Sequence, residues 1–181
     1  LFDPMCGSGT FLIEAALMAG DIAPNLNRKY YGFLGWKGHD AKAWEKLQEE
    51  ALRRRDKGIK KIPTIFGIDS DGRAVNVARR NLERAGLSGK IKVYQQRFQD
   101  FRGLEDKTDT GLVIVNPPYG ERLGVTEELQ NLYAELGQQM KTHFAGWNAS
   151  VITSNKELAT RLGLKAHRRN VVNNGKLKCE L

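Results

Sequence analysis

The sequence lacks several features that would place it in a specialised class of proteins. Its 181 residues include only two cysteines, Cys6 and Cys179, which lie at opposite ends of the chain and form no CxxC pair. Neither a zinc site nor a disulfide framework is therefore predicted. No apolar run approaches the roughly 18 residues of a membrane span, and no basic segment followed by a hydrophobic stretch opens the chain. We expect a cytoplasmic protein with no metal site and no membrane segment.

Low-complexity tracts and internal repeats are also missing. Hydrophobic residues make up 40% of the chain and charged residues 28%, which is the composition of an ordinary globular protein rather than a disordered one. The length suits one domain spanning residues 1–181. Because only Leu1 and Phe2 precede a loop that normally follows a complete strand, we expect this domain to be cut from a longer protein and truncated at its N-terminus.

The charge is strongly one-sided, with a formal net charge of +8. Such an excess favours a polyanionic partner, because Lys and Arg that neutralise phosphates release counterions. Two basic stretches could supply these contacts, although either could equally be a solvated face. They are 53–57 with Lys60 and Lys61, and Lys165 with Arg168 and Arg169.

Apolar patterning predicts strands that alternate with helices. This order is typical of a Rossmann-like α/β fold, in which helices cover both faces of a mostly parallel sheet. The predicted strands follow the remnant at residues 1–2 and lie at 63–69, 91–98, 112–115 and 151–153. The predicted helices lie at 10–19, where Phe11, Leu12, Ala15, Ala16 and Met18 suggest burial, and at 41–57, 71–85 and 127–141.

Two segments do not follow this alternation. Residues 20–40 mix Gly, Pro, aromatic and basic residues without a period, and the predicted helix at 41–57 follows them. We interpret residues 20–62 as an inserted excursion from the fold. Near the C-terminus, Asn173-Asn174-Gly175 separates 164–172 from 176–181, and Asn-Gly is the strongest short signal for a hairpin. We therefore predict a closing antiparallel hairpin.

The first candidate site is the loop at 3–10. In a doubly wound sheet, ligands bind at the carboxyl ends of the strands, and this loop follows the first strand. Gly7 and Gly9 would let the backbone approach a ligand, and the helix starting near Thr10 offers free N–H groups to a carboxylate. The spacing fails the GxGxxG pattern of dinucleotide sites and lacks the Lys of a phosphate loop. An amino-acid-like cofactor fits better, although a tight turn without a ligand also fits.

Two acidic residues follow later strands. Asp69 ends the second strand and could accept hydrogen bonds from ribose hydroxyls. Asp100 follows the third strand and could contact an adenine amino group. Taken singly, each could also be an ordinary loop or helix-capping acid.

The most informative segment is Asn116-Pro117-Pro118-Tyr119, directly after the apolar strand at 112–115. It brings an amide, a carbonyl held by proline and an aromatic ring to the carboxyl end of one strand. A simple turn is the alternative. The position instead favours a functional role for Asn116, Pro117 and Tyr119.

Three stretches together resemble the motifs of amino-methyltransferases that act on nucleic acid. They are 3–11, Gly67-Ile68-Asp69, and 116–123 with its Gly120-Glu121-Arg122-Leu123 extension. The chain is most similar to bacterial 23S ribosomal RNA guanine N2-methyltransferases, in which a segment like 21–36 is also inserted. Asn-Pro-Pro-Tyr alone is shared with adenine N6-methyltransferases of DNA or RNA, so that activity and a non-catalytic nucleic-acid binding module remain alternatives.

The resemblance implies an S-adenosylmethionine-dependent enzyme that methylates guanine N2 in 23S ribosomal RNA. It implies base recognition at Asn116, Pro117 and Tyr119, and a parent protein with an RNA-binding THUMP module and, in some members, a second methyltransferase domain. The residues implied in cofactor binding are Asp3, Cys6, Gly7, Gly9, Thr10, Asp69 and Asp100.

Overall fold

The computed structural model describes residues 1–103, 109–120 and 126–181. Within these ranges no helix combines the length and the apolar character needed to cross a membrane. The strands are β1 (Phe2–Asp3), β2 (Phe66–Asp69), β3 (Lys92–Gln95), β4 (Leu112–Val115), β5 (Asn148–Val151), β6 (Val171–Asn174) and β7 (Leu177–Glu180). The α-helices are α1 (Thr10–Ala19), α2 (Ala41–Gly58), α3 (Gly72–Arg84), α4 (Glu127–His143) and α5 (Lys156–Arg161).

The first five strands form one sheet in the order β3-β2-β1-β4-β5, and every pairing in it is parallel. The Rossmann-like fold class predicted from the sequence is therefore confirmed. The strand β4 is a continuous apolar run, as expected of an inner strand of a parallel sheet with both faces covered. The bounds of β4 match the predicted strand at 112–115, where Val113 and Val115 are buried.

Two hydrophobic cores lie on opposite faces of this sheet. Phe66 and Ile68 of β2 join a core with α4 and α5, while their neighbour Ile65 joins a second core with α1 and α3, as the alternation of side chains along a strand requires. In the first core Phe2 is fully buried and stacks on Phe66, with ring centroids 4.5 Å apart. The two cores hold β1 and its following loop at the centre of the fold.

Side chains at the N-terminal ends of the helices set where they begin. Asp40, Asp71, Thr126 and Asn155 each accept a hydrogen bond from a backbone N–H in the first turn of α2, α3, α4 and α5. Such caps satisfy amides that have no partner inside the helix. The helix α5 was not predicted from the sequence, since its six residues are too few to show a period.

The segment at 20–62 leaves and rejoins the fold at nearly the same place. Gly58 packs so closely on the backbone of Gly20 that any side chain at position 58 would collide with it. Between these points lies α2, and Trp44 makes edge contacts with the rings of Tyr31 and Phe33. The sequence was wrong about Met18, which is 81% exposed rather than buried, because it lies on the face of α1 that turns away from the core.

The prediction for β5 was also wrong in its bounds. The strand covers Asn148–Val151 instead of 151–153, and it is the edge strand of the sheet. An edge strand tolerates polar and small residues, so Asn148, Ala149 and Ser150 carried no apolar signal. Thr153 lies beyond the strand and forms an isolated antiparallel bridge with Glu180.

The predicted C-terminal hairpin is confirmed, but its turn is Gly175-Lys176 rather than Asn173-Asn174-Gly175. Asn173 and Asn174 belong to β6, which pairs with β7 through Asn174 and Leu177. The two-residue turn is therefore Gly175-Lys176, and Gly175 has the positive φ of 62° that the first position of a type II′ turn requires. This register determines which side chains lie on the same face of the hairpin.

Candidate active-site cleft

The strand order reverses between β1 and β4, because the chain builds β2 and β3 on one side of β1 and then crosses to the other. This switch point is where open α/β sheets bind ligands. A cleft of about 930 Å³ lies there. It is lined by the loops after β1, β2, β3 and β4 and by the start of α4, and its lining includes Pro4, Met5, Gly7, Asp69, Ser70, Arg97, Phe98, Gln99, Asn116, Pro117, Tyr119 and Glu128.

We call the part of the cleft formed by the loops after β1 and β2 the β1–β2 side. Gly7 lines it with φ of 52°, and a side chain added there would stand in open space. The Gly7 N–H donates to Asp69 Oδ2 at 2.8 Å. The loop therefore presents bare backbone to the cleft, with an acidic side chain fixed beside it.

Asp69 joins the two loops of this side. Its Oδ1 accepts a hydrogen bond from the Asp71 N–H at 2.9 Å, while its Oδ2 holds Gly7. Each carboxylate oxygen can accept more than one hydrogen bond, so both retain capacity for donors of a ligand in the cleft. The position agrees with the predicted role toward ribose hydroxyls, which stays a prediction.

Asp3 lies beneath this loop rather than in the cleft wall, with 2% of its surface exposed. Burial raises the pKa of its carboxyl to about 7, the Met5 N–H bonded to Oδ1 opposes that shift, and the nearby charge of Asp69 adds to it. A carboxyl with such a pKa changes charge near neutrality, so the electrostatics under the loop depend on pH.

Cys6, Gly9 and Thr10 also lie outside the lining of the cleft. Cys6 packs in the second core. Burial is the main cause that raises the pKa of its thiol to about 12, and the nearby charges of Asp3 and Asp69 raise it further. Gly9 precedes α1 with φ of 82° and lies against Ala78 of α3. Cys6 and Gly9 therefore shape the loop. Thr10 is the first residue of α1, the helix that follows the loop.

The segment after β3 lines the cleft with residues next to Asp100 rather than with the predicted Asp100 itself. Arg97, Phe98 and Gln99 line the cleft, whereas Asp100 is exposed outside the lining, and its carbonyl accepts a hydrogen bond from Gln96. The sequence identified the correct loop through its acid. It missed the adjacent residues, which carry no recognisable motif.

We call the part of the cleft formed by Asn116–Tyr119 the β4 side. Asn116 is exposed to the cleft, Pro117 is buried, and the ring of Tyr119 is partly buried against the first core. The structure therefore places Asn116, Pro117 and Tyr119 across one cleft from Gly7 and Asp69. The Glu121, Arg122 and Leu123 part of the predicted extension lies outside the described residues.

Two hairpin residues that sequence reasoning missed contact Tyr119. The side-chain amide of Asn174 donates to the Tyr119 hydroxyl at 2.6 Å, and the Cys179 thiol lies 3.8 Å from the same oxygen. The separation along the chain is 55 residues or more, so no local pattern could have linked them. The Tyr119 hydroxyl thus has a structural partner in the hairpin.

The predicted RNA-contacting residues Lys165, Arg168 and Arg169 are all exposed, in the segment between α5 and β6. They lie outside the lining of the cleft. Arg169 forms a salt bridge with Glu180 at 3.1 Å. Part of the charge of this stretch is thus already compensated by the hairpin.

Sequence comparison gives consistent relatives. A protein-family model described as UPF0020, an RMKL-like methyltransferase domain, matches residues 1–181. The chain is 50% identical over 181 residues to the ribosomal RNA large subunit methyltransferase K/L of Methylococcus capsulatus, and 47% identical over 182 residues to that of Syntrophotalea carbinolica. Both alignments include the whole of this chain but only 24% and 26% of the two relatives, so the chain spans about a quarter of their length.

Solved structures are similar over nearly the whole chain. A crystal structure of SMU.472, described as a methyltransferase complexed with SAH, has a TM-score of 0.88 and 36% identity and covers 99% of this chain and 46% of that one. A Listeria monocytogenes protein described as an N6-adenine-specific DNA methylase has a TM-score of 0.84 and 34% identity, covering 99% and 44%. The resemblance to large-subunit ribosomal RNA methyltransferases is confirmed at the level of the family.

Proposed function

Because the chain belongs to the UPF0020 family of RMKL-like methyltransferase domains, we propose that it methylates the exocyclic N2 amine of a guanine in 23S ribosomal RNA. The observation that carries this proposal is that Asn116, Pro117 and Tyr119 line the same cleft as Gly7 and Asp69. One side suits a cofactor and the other a flipped base. The relatives named for large-subunit ribosomal RNA support the choice of substrate.

S-adenosylmethionine is the cofactor, as expected from the family and from the SAH complex of the similar structure. It supplies an electrophilic methyl group on a sulfonium. The bare backbone at Gly7 is compatible with the amino-acid part of this cofactor, and the remaining acceptor capacity of the Asp69 carboxylate suits its ribose hydroxyls. We propose that the β1–β2 side holds it there.

The β4 side is proposed to hold the target base. A base inside a helical stack cannot reach a buried methyl donor, so it must be extruded, and the ring of Tyr119 offers a surface on which it can stack. The Asn116 side-chain carbonyl and the Pro117 backbone carbonyl can then accept the two hydrogens of the exocyclic amine. Pro117 is buried, which keeps its carbonyl in a fixed position.

These two acceptors address the electronic difficulty of the reaction. The lone pair of an aromatic amine is delocalised into its ring, so the nitrogen is a poor nucleophile. Fixed acceptor dipoles favour a tetrahedral nitrogen, and they stabilise the positive charge that develops there more than they stabilise the ground state. The amine nitrogen would take the methyl group as the methyl–sulfur bond breaks, leaving S-adenosylhomocysteine, and the acidic ammonium would release its proton to solvent water without a strong general base.

A second activity, methylation of adenine N6, is favoured by one observation. The similar Listeria structure is described as an adenine-specific DNA methylase, and Asn-Pro-Pro-Tyr suits both amines. Against it stand the ribosomal RNA relatives, which are more similar in sequence, at 47–50% compared with 34% identity. The third alternative is a nucleic-acid binding module without turnover.

Product analysis distinguishes these three functions. The parent full-length protein is incubated with methyl-labelled S-adenosylmethionine and undermodified large-subunit ribosomal RNA, and the digested nucleosides are separated. We expect label in N2-methylguanosine, and its loss with Asn116→Ala. Label in N6-methyladenosine would show that the protein methylates adenine rather than guanine. RNA binding and cofactor binding without label in any nucleoside would contradict an enzymatic function.

A further inference from the structure

We infer that Asn174, in the C-terminal hairpin, is a positioning residue for the base-binding site, acting by anchoring the hydroxyl of Tyr119. This inference rests on the proposed function, because it takes Tyr119 as the surface on which the base stacks. The residue would touch neither base nor cofactor. Its role would be to hold the ring at the angle that presents the exocyclic amine to Asn116.

The contact itself is close and specific. Asn174 Nδ2 donates to Tyr119 Oη at 2.6 Å, and the buried Cys179 thiol lies 3.8 Å from the same oxygen. Both donors come from the hairpin, while Tyr119 itself lines the cleft. A ring held only by its Cβ can swing about χ1, whereas a ring whose far end is also hydrogen bonded cannot swing without breaking that bond.

The register of the hairpin makes this contact possible. In an antiparallel pair, residues opposite each other point to the same face, so the pairs Val172↔Cys179 and Asn174↔Leu177 share one face of the hairpin. Asn173 points to the other face. With a turn at Asn174-Gly175, Asn174 would lie in the turn and would not share a face with Cys179. The Gly175-Lys176 turn thus places two donors toward Tyr119.

The hairpin is itself fixed to the sheet. Thr153 and Glu180 exchange two backbone hydrogen bonds of 2.9 and 2.8 Å just beyond β5, while the two 2.9 Å bonds between Asn170 and Leu181 extend the ladder of the hairpin itself. In addition, the Tyr133 hydroxyl from α4 donates to Thr153 Oγ1 at 3.2 Å. Asn174 therefore stands on a support tied to the end of β5, and the position of the donor is set by the fold rather than by a free loop.

The test compares single-turnover methylation by four variants of the full-length protein: Asn174→Ala, Tyr119→Phe, the combined variant, and Asn173→Ala as matched control. The control removes the same side chain one position away, on the opposite face. With labelled S-adenosylmethionine and undermodified large-subunit ribosomal RNA, we expect Asn174→Ala to lose about three- to tenfold in kcat/KM, as a neutral hydrogen bond allows. The loss should lie mainly in KM for RNA.

Two further features identify an effect transmitted through the hydroxyl. Tyr119→Phe retains the ring but lacks the hydroxyl, so it should lose at least as much as Asn174→Ala, and the combined variant should be no worse than Tyr119→Phe alone. Cofactor affinity by calorimetry should remain within twofold of wild type. A merely structural role of the hairpin would instead lower the melting temperature and cofactor affinity together, and the two single effects would add.

The inference is overturned if Asn174→Ala behaves like Asn173→Ala while the wild type is active, or if the effects of Asn174→Ala and Tyr119→Phe are additive. A measurement without turnover separates this outcome from failure of the proposed function. With ring-¹³C tyrosine, Asn174→Ala should shift and broaden the Tyr119 signals, and Asn173→Ala should not. Unchanged Tyr119 signals in Asn174→Ala would refute the anchor even in a protein that methylates nothing.

Discussion

The two sides of the cleft are held in different ways. On the β1–β2 side, Gly7 and Asp69 are joined directly by a hydrogen bond between the ends of two adjacent strands. On the β4 side, the ring of Tyr119 is held by Asn174, which lies 55 residues further along the chain. One side is organised by the sheet and the helix α3 that packs on it, and the other also depends on a hairpin that follows the last strand of the sheet.

This difference teaches where each side is sensitive to change. The β1–β2 side should respond to substitutions of its own few residues, through cofactor affinity and the charge beneath the loop. The β4 side should respond to substitutions in the hairpin as well, through handling of the base. If the comparison holds, effects on cofactor binding and on base methylation can be separated by substitution.

The largest effect is expected from Asn116→Ala on the β4 side. Removing one preorganised group that stabilises a transition state typically costs about 10²–10³ in rate, and we expect that loss in kcat with nearly unchanged cofactor affinity. Single-turnover rates and calorimetry measure the two quantities. Asn148→Ala, on the exposed edge strand, is the control. A rate near wild type for Asn116→Ala would remove the proposed mechanism.

The second effect concerns Asp3, whose folded pKa of about 7 lies above its ordinary value of 3.8. The stability contributed by its neutral form is complete below pH 4 and is lost progressively as pH rises from 4 to 7, because the unfolded carboxyl is then ionised and must take up a proton on folding. Asp3→Asn keeps an acceptor for the Met5 N–H and should raise the free energy of unfolding at pH 8 by about 2–4 kcal/mol. At pH 4 the two proteins should be alike.

Denaturant unfolding at both pH values measures this difference in stability. Calorimetry measures the effect of the same substitution on cofactor affinity. If the charge of Asp3 helps to bind the cationic cofactor, the more stable variant should bind S-adenosylmethionine more weakly at pH 8. Equal stability of the two proteins at pH 8 would show that Asp3 does not control the pH dependence of this loop.

The third effect is on the β1–β2 side alone. Asp69→Ala should weaken S-adenosylmethionine binding by about 1–3 kcal/mol, because ribose hydroxyls and the Gly7 N–H lose their acceptor. The rate at saturating cofactor should fall far less than in Asn116→Ala. Asp56→Ala, an exposed acid on α2, serves as control. Unchanged affinity in a folded Asp69 variant would show that Asp69 is an ordinary loop acid.

The smallest effect is expected outside the cleft. Neutralising Lys165 and Arg168 together should reduce the salt dependence of RNA binding by about 1.5–2 in slope, if each contacts one phosphate. Arg169 is left in place because it is paired with Glu180. Lys60→Ala with Lys61→Ala changes the charge equally at the other basic stretch. An unchanged slope for the Lys165 and Arg168 pair would remove the segment before the hairpin from the binding surface, whatever the Lys60 and Lys61 pair shows.

Most of the β1–β2 side could be read from the sequence, since Gly7 and Asp69 follow strands whose order places their ends together. The strand β4 could be read equally well, because four consecutive apolar residues lead directly into Asn116. Strand β5 could not, since an edge position makes Asn148 and Ser150 acceptable in a strand. Arg97 and Gln99 were also missed, because nothing in their identity distinguishes a cleft residue from any loop residue.

The sequence by itself determined the α/β alternation, the position of the glycine-containing loop after β1 and that of Asn116–Tyr119 after β4, because each of these is encoded within a short stretch of chain. Only the tertiary structure decided the register of the hairpin and the partner of Tyr119. Local preference favours a turn at Asn-Gly, but the bridge between Thr153 and Glu180 and the burial of Cys179 select Gly175-Lys176 instead. Contacts between residues far apart in sequence outweigh a turn preference, because a change of register would move every side chain of the hairpin to a different neighbour.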